Sequence, residues 1–553
     1  MKLEQSGKKT LRILSLLAPI VLIVLFLLFP VFSVLISSFV DGDGFTFQYL
    51  GGILRDVFYY KLFAFTFSQA TLSTVVSLII GIPIGYFFGK YEFKGRKILL
   101  TFFTVPFVLP SVLVGMGFLG IFGEQESNGT QLILIVLAHA FYNIPLFVHY
   151  ISAYYKNFDK NIIEAAKTSG SRNFHLLFRV FLPLFLVPIL SASILTFVFC
   201  FLSFGIIIIL GNFRTLETQV FSEYRTGETN LAAALALLQL FVILAIVLLY
   251  LFYMRRQTRR EKTITTGSMK GEPFNFRKFF KSKLNILLFV VLLFGLILEL
   301  APMITIFIRS FWDPQTASFT FNNFKTIFTL QVNNYVGTSI PKTMLNTLLF
   351  ALGSTAIAVF LAVITVAALG KQRRRKRSIS YELITYLPIA ISSLTLSLGI
   401  LQTFLKSDFF NSNPWIFIIV SHGLLGYPFV TRALLNGLNT IDPEIIDSAK
   451  TLGAKWTYKL RKIYLPLLLP SIIAGIAFSF GLSIGEFTVA NFFYLNNSSI
   501  ATLTVALYQL RAVRQFGPSN AVGALLMLIS YAAFFILEAL GAREKTASKI
   551  SVI

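Results

Sequence analysis

The chain has 553 residues, 56% of them hydrophobic and 13% charged, with a mean hydropathy of +0.76 and a formal net charge of +24. A soluble protein carries about 25% charged residues, so the composition excludes a water-soluble globule and calls for apolar runs of about 20 residues that sit in lipid. One cysteine, Cys200, and four scattered histidines leave no disulfide framework and no metal cage.

The first run, Leu11 to Phe39, is too long for the core of a signal peptide, and no small-residue cleavage site follows it, so it reads as a retained span. Eleven more follow, near 64–89, 97–121, 131–153, 182–210, 231–253, 284–310, 344–369, 382–405, 414–436, 465–490 and 518–541. The expected fold class is therefore an all-α polytopic membrane protein of about twelve transmembrane helices. Of the 48 Lys and Arg, 38 fall on the side of this frame that holds the N-terminus. That is the positive-inside bias, and it places both termini in the cytoplasm. It also accounts for the charge without nucleic acid: the basic runs at 254–283 and 371–377 read as topogenic flanks beside anionic lipid. The outward loops carry acids and bases in similar number and announce no cargo charge.

The chain repeats itself. Asp159-Lys-Asn-Ile-Ile-Glu-Ala-Ala-Lys-Thr-Ser-Gly170 matches Asp442-Pro-Glu-Ile-Ile-Asp-Ser-Ala-Lys-Thr-Leu-Gly453 at an offset of 283 residues. The same offset carries His139 to His422, Pro145 to Pro428, Pro183 to Pro466 and Phe204 to Phe487. Six spans, an even number, separate equivalent points, so the repeat is parallel and implies a pseudo-two-fold axis along the membrane normal. Residues 1–253 form the first half (core about 63–253) and 284–553 the second (core about 344–541). The polar, basic stretch 254–283, with Gly267 and Gly271, is expected to be a mobile cytoplasmic linker.

Both repeated segments fall in cytoplasmic loops and read as short helices. Asp442 suits an N-cap, Pro443 the first turn and Gly453 the stop; Asp159 and Gly170 hold the same places in the first copy. Ile446, Ala449 and Leu452 are expected on one face, as are Ile163 and Ala166. A second amphipathic stretch follows each glycine: Phe174, Leu177, Phe178 and Phe181, then Trp456, Leu460, Ile463 and Tyr464. Each leads to Leu-Pro, at Leu182-Pro183 and Leu465-Pro466. Small Ala165, Ala166, Ser448 and Ala449 permit close backbone approach, and the glycines permit a left-handed turn. One such loop could lie on lipid; two in register favour docking into a partner.

Glu164-Ala165-Ala166-x-x-x-Gly170 with Leu182-Pro183 resembles the EAA loop of ABC importer permeases. Asp447-Ser448-Ala449-x-x-x-Gly453 with Leu465-Pro466 resembles a degenerate second copy, altered from Glu to Asp and from Ala to Ser. The resemblance covers both halves and includes Ala138 to Pro145 and Gly485-Glu486-Phe487. The fused arrangement is similar to the ferric-iron and thiamine permeases. It implies the type I importer fold (MetI-like), two copies of a separate ATP-binding subunit docked on the loops, and an extracytoplasmic solute-binding protein. It places the chain in the cell membrane and implies a cargo of ferric iron first, thiamine next and polyamine more distantly. No ATPase site is expected within the chain, because Gly85-Tyr-Phe-Phe-Gly89-Lys90-Tyr91 lacks the spacing and the hydroxyl of a phosphate-binding loop. No cofactor or metal is called for.

Charged residues inside spans are functional suspects. Glu486 stands beside Phe487, and its first-half equivalent is Ser203 beside Phe204; these four are the candidate translocation path, against the plainer reading of Glu486 as a hydrogen bond between helices. Glu299 has an apolar equivalent and reads as a helix contact. Glu382 and Glu538 lie near cytoplasmic ends and can snorkel. His139 and His422 read as helix-packing residues, and Asp41-Gly42-Asp43 as an external turn. The competing function is a twelve-span secondary transporter, which would place several ion-coupling groups deep in its spans. A membrane-embedded enzyme would need a polar catalytic cluster that the sequence lacks.

Overall fold

A computed structural model describes residues 20–41, 44–104, 106, 109–124, 127–156, 160–171, 179, 182–211, 214–261, 271–313, 316–370 and 388–550. Among these residues, ten helices are long and apolar enough to cross a membrane, and two shorter apolar helices accompany them. In the first half the elements are α1 (Ile20–Ser37), α2 (Val57–Lys90), α3 (Ser111–Phe122), α4 (Asn128–Lys156), α5 (Lys160–Thr168), α6 (Leu182–Phe201), α7 (Gly205–Leu210), α8 (Leu216–Thr226) and α9 (Thr229–Glu261). The second half repeats the series as α10 (Lys283–Ser310), α11 (Ile340–Gly370), α12 (Ser393–Phe404), α13 (Pro414–Thr440), α14 (Pro443–Thr451), α15 (Leu465–Gly485), α16 (Thr488–Tyr494), α17 (Leu503–Ala512) and α18 (Phe516–Ile550).

Two expected spans, 97–121 and 382–405, are not single long helices. The first is divided into Arg96–Phe102 and α3, and within the second the described helix is α12; residues 382–387, with Glu382, lie outside the described residues. A 12-residue helix rises only about 18 Å, short of a bilayer core of about 30 Å. The expected runs 182–210 and 465–490 are also interrupted, at 202–204 and 486–487. Apart from Ser203 and Glu486 the breaks at 202–204 and 486–487 lie within apolar runs, so hydropathy alone does not reveal them.

Close packing follows small residues. Gly81, Gly85 and Gly89 line one stripe of α2, and a Cβ on each would come within 2.5–2.8 Å of Phe147, Ile151 and Tyr155 of α4. This is the small-xxx-small contact that drives helix association where water gives no hydrophobic push. The pseudo-two-fold recurs at the level of single hydrogen bonds. The Leu216 N–H donates to Thr66 Oγ1 (3.1 Å) at the start of α8, and the Leu503 N–H donates to Thr347 Oγ1 (2.9 Å) at the start of α17.

The first span of each half crosses to the other half. Gly117 of α3 lies against Pro302 of α10, where a Cβ would approach to 2.7 Å, and Gly399 of α12 lies against the Pro30 carbonyl of α1 in the same way. Each half is thus clamped by the other's first helix.

The ends of the bundle are marked by polar contacts. At one end Lys156 Nζ donates to Glu92 Oε1 (2.9 Å), and Arg432 Nη2 donates to the Tyr150 hydroxyl (3.4 Å) across the two halves. At the other, Asn230 Nδ2 donates to the Val40 carbonyl (3.2 Å), and Arg511 pairs with Glu124 (3.9 Å). The linker is anchored where it is described. Tyr91–Glu92 pairs in parallel with Glu272–Pro273, and Phe274 and Phe279 pack against Phe87 and Tyr91. The expectation of mobility is therefore corrected for 271–282, because aromatic side chains bury there; residues 262–270, with Gly267, lie outside the described residues.

Candidate functional site: paired loops and a pseudo-symmetric path

The two repeated loops leave the same end of the bundle, since α5 follows Lys156 and α14 follows α13 beyond Arg432. Asp442 caps α14 as expected, its carboxylate accepting from the Glu444 N–H at 2.9 Å. Gly170 and Gly453 both take the left-handed conformation (φ +81° and +75°). Behind them the Ser171 N–H donates to the Ala166 carbonyl (3.1 Å) and the Ala454 N–H to the Ala449 carbonyl (2.9 Å), which is the C-terminal motif that demands glycine.

Ile162 and Ala166 pack α5 onto Tyr155 and Phe185, and Ile446 packs α14 onto the main core. Glu164, Ala165, Ser448, Pro183 and Pro466 are exposed, while Asp447 and Ala449 are half-buried; Asp447 pairs with Lys450 at 2.6 Å. Leu452 departs from expectation. It is 86% exposed, because α14 ends at Thr451 and the helical period no longer carries position 452 to the Ile446 face. Ile445 and Tyr458 of the same loop are exposed as well. Asp159, Phe174, Leu177, Phe178 and Phe181 lie outside the described residues, as do the side chains of Ile163, Trp456 and Glu538, and Gly42 and Asp43.

The four candidate path residues come together where α6 and α15 break, about 30 Å along those helices from the loops. The Phe204 and Phe487 rings stack across the pseudo-axis, with centroids 5.8 Å apart and planes at 12°. Each is backed by a ring from its own half, Phe204 by Phe221 and Phe487 by Tyr508, both at 5.1 Å. Two cavities, of about 290 and 230 Å³, meet at Phe199, Leu202, Leu482 and Glu486. Ser203 lines the larger one.

Glu486 has a double role in this geometry. Its Oε1 accepts from the Thr488 N–H (3.1 Å) and its Oε2 from the Val489 N–H (2.8 Å), so it caps α16. Its Oε2 also lies 3.3 Å from His422 Nε2, whose other nitrogen, Nδ1, meets Ser483 Oγ at 2.8 Å. His139 and His422, read from sequence as packing residues, line the larger and the smaller cavity respectively. Their recurrence at the repeat offset was the available signal. Tyr142 and Asn143, on the larger cavity, do not recur at that offset, where Leu425 and Gly426 stand, and only the resemblance over Ala138 to Pro145 reached them. Glu299 lies apart, fully buried, and neither carboxyl oxygen has a hydrogen-bond partner among the described residues.

The family model for the binding-protein-dependent transport system inner membrane component matches twice, over residues 81–263 and 264–546. The chain belongs to this family. It is similar to the thiamine transport system permease protein ThiP of Salmonella typhimurium, with 24% identity over 89% of this chain and 91% of the relative. It is also similar to the ferric transport system permease protein FbpB of Actinobacillus pleuropneumoniae, with 22% identity over 90% of this chain and 74% of the relative. A probable molybdenum ABC transporter permease protein of Haloferax volcanii is 29% identical over 32% of this chain and 70% of the relative. The chain is thus a multi-pass inner-membrane permease of fused type, with two family repeats in one polypeptide.

Proposed function

We propose that the chain forms the translocation path of an ATP-driven importer and takes its power stroke from two copies of a separate ATP-binding subunit. The carrying observation is the pair of helix–glycine–helix loops at one end of the bundle, with Leu452 exposed beside a left-handed Gly453. Leu452, exposed where α14 ends, gives the loop an apolar contact to offer a partner. A solute-binding protein delivers cargo at the opposite end, both termini face the cytoplasm, and the stacked Phe204 and Phe487 close the path. Movement of the loops as the ATPases close would separate the halves along this stack. The cargo is ferric iron or thiamine, the ligands in the names of relatives that align over about nine-tenths of the chain.

The test is co-purification of the ATP-binding subunit with chains carrying Gly170→Val and Gly453→Val. A β-branched residue is strained in the left-handed region by more than about 1–2 kcal/mol, so both loops should distort, the subunit should be lost and uptake should fall to background. Uptake that persists with no ATPase bound would replace this reading with a secondary transporter.

A further inference from the structure

Across the pseudo-two-fold Phe204 faces Phe487 and His139 corresponds to His422. The walls differ in shape at Leu202 and Gly485, at Tyr142 and Leu425 and at Asn143 and Gly426, and they differ in charge at Ser203 in the first half and Glu486 in the second. Among the described residues Glu486 is the sole carboxylate on the walls of the two cavities, with the His422 imidazole 3.3 Å from it, and no described Lys or Arg lines either. It stands where the cavities meet, held by two backbone N–H groups, so its position is fixed. The surrounding wall is aromatic: Phe199, Phe204, Phe487, Phe429 and Tyr142. One negative charge among ring faces suits a cation of low charge density with a planar or apolar body, which gains both Coulomb and cation–π attraction there. A bare trivalent metal ion calls for several hard oxygen ligands converging on one point. Among the described residues no group of three His, Cys, Asp or Glu could supply such a set.

We propose that Glu486 is the charge-selecting residue of the path and that the cargo crosses as an organic monocation rather than as free ferric ion. This rests on the permease reading above. Its selectivity comes from one half alone, so a carboxylate moved across the axis to position 203 should serve in its place.

The experiment uses the complete transporter, this chain with its ATP-binding subunit and binding protein, and measures ATP-dependent uptake of two probes, radiolabelled thiamine as a planar organic monocation and radiolabelled ferric citrate. Thiamine should accumulate and iron should not. Glu486→Gln should lower thiamine uptake about tenfold or more, the effect of one lost charged contact. Because Glu486 also caps a helix, the double variant Glu486→Gln with Ser203→Glu separates the roles, and it should recover most of the uptake. The proposal is overturned by iron uptake without thiamine uptake, by uptake of neither probe in an assembled and ATP-hydrolysing complex, by undiminished uptake in Glu486→Gln, or by failure of the double variant to recover when the complex is intact. In each of those cases the permease reading stands. Failure of the wild-type chain to hold an ATP-binding subunit sinks that reading, and this one with it.

Discussion

Glu299→Leu should stabilise the protein and leave transport unchanged. Glu299 lies three residues before Pro302, and the equivalent position before Pro30 in the first half is Leu27; both side chains are fully buried. The bundle therefore already accommodates leucine at this point of the pseudo-symmetric packing. The carboxyl of Glu299 has no partner among the described residues, and a buried polar group left unsatisfied costs about 1–3 kcal/mol. Leucine and glutamate differ little in helix propensity, so removal of the carboxyl should return most of that amount. At about 2.1 cal/mol/K per residue the unfolding entropy is about 1.2 kcal/mol/K for this chain, so the gain is about 1–3 °C in thermal midpoint. The assay is thermal unfolding of the detergent-solubilised protein, with Glu299→Gln as the control that keeps a polar group and should shift little. Glu299 does not line either cavity, so uptake should match wild type. A lower midpoint for Glu299→Leu would refute the reasoning, because it would mean that the carboxyl makes a contact worth more than its burial costs.

Two further outcomes follow from the packing and the polar ends. Gly399→Val and Gly117→Val should each lower the midpoint by about 1–3 °C, since overpacking costs about 1–3 kcal/mol and the new side chains would overlap Pro30 and Pro302. Gly51→Ala, with nothing within 4 Å of its Cβ, should not, and equal midpoints for all three would refute the crossed first spans. At the loop end of the bundle, the hydrogen bond from Lys156 holds the Glu92 carboxyl below its ordinary 4.5. A depressed carboxyl contributes stability above that ordinary value and loses it as pH falls through the folded value. Lys156→Ala should therefore flatten the acid side of the stability profile by a small amount, since both groups are partly exposed. Profiles of equal slope would show that the pair carries no linkage.

What was legible in the sequence was what repeats and what is local. The offset of 283 residues carried the loops, the prolines, the histidines and Phe204 with Phe487, because both halves solve the same packing problem and keep the same residues where it is tightest. Asp442 as a cap and Gly170 and Gly453 as left-handed stops were legible because capping and φ are decided within a few residues. The helix breaks at 202–204 and 486–487 were not, since Ser203 and Glu486 interrupt otherwise apolar runs without saying whether the backbone continues or turns there, provided protein and not lipid covers the irregular segment. The exchange of first spans was not legible either: Pro30 meets Gly399 and Pro302 meets Gly117 only after both halves have assembled. The aromatic anchoring of 271–282 was hidden by the basic residues among which Phe274 and Phe279 stand.

The two kinds of information meet at Glu486. It stood out as a charge inside a span whose equivalent is Ser203, and the helix break explains why a carboxylate is tolerated there: the freed N–H groups of Thr488 and Val489 hold it. In the first half the Gly205 backbone packs against Ser111, and among the described residues Ser203 lines the larger cavity without the backbone contacts that hold Glu486. Symmetry thus builds the aromatic stack between the halves, and on the proposed reading the departure from symmetry gives the path a sign. Among the described residues the one carboxylate of the two cavities is tied to the backbone of the segment bearing Phe487, so on the proposed reading a cargo held by Glu486 would sit beside the stacked rings.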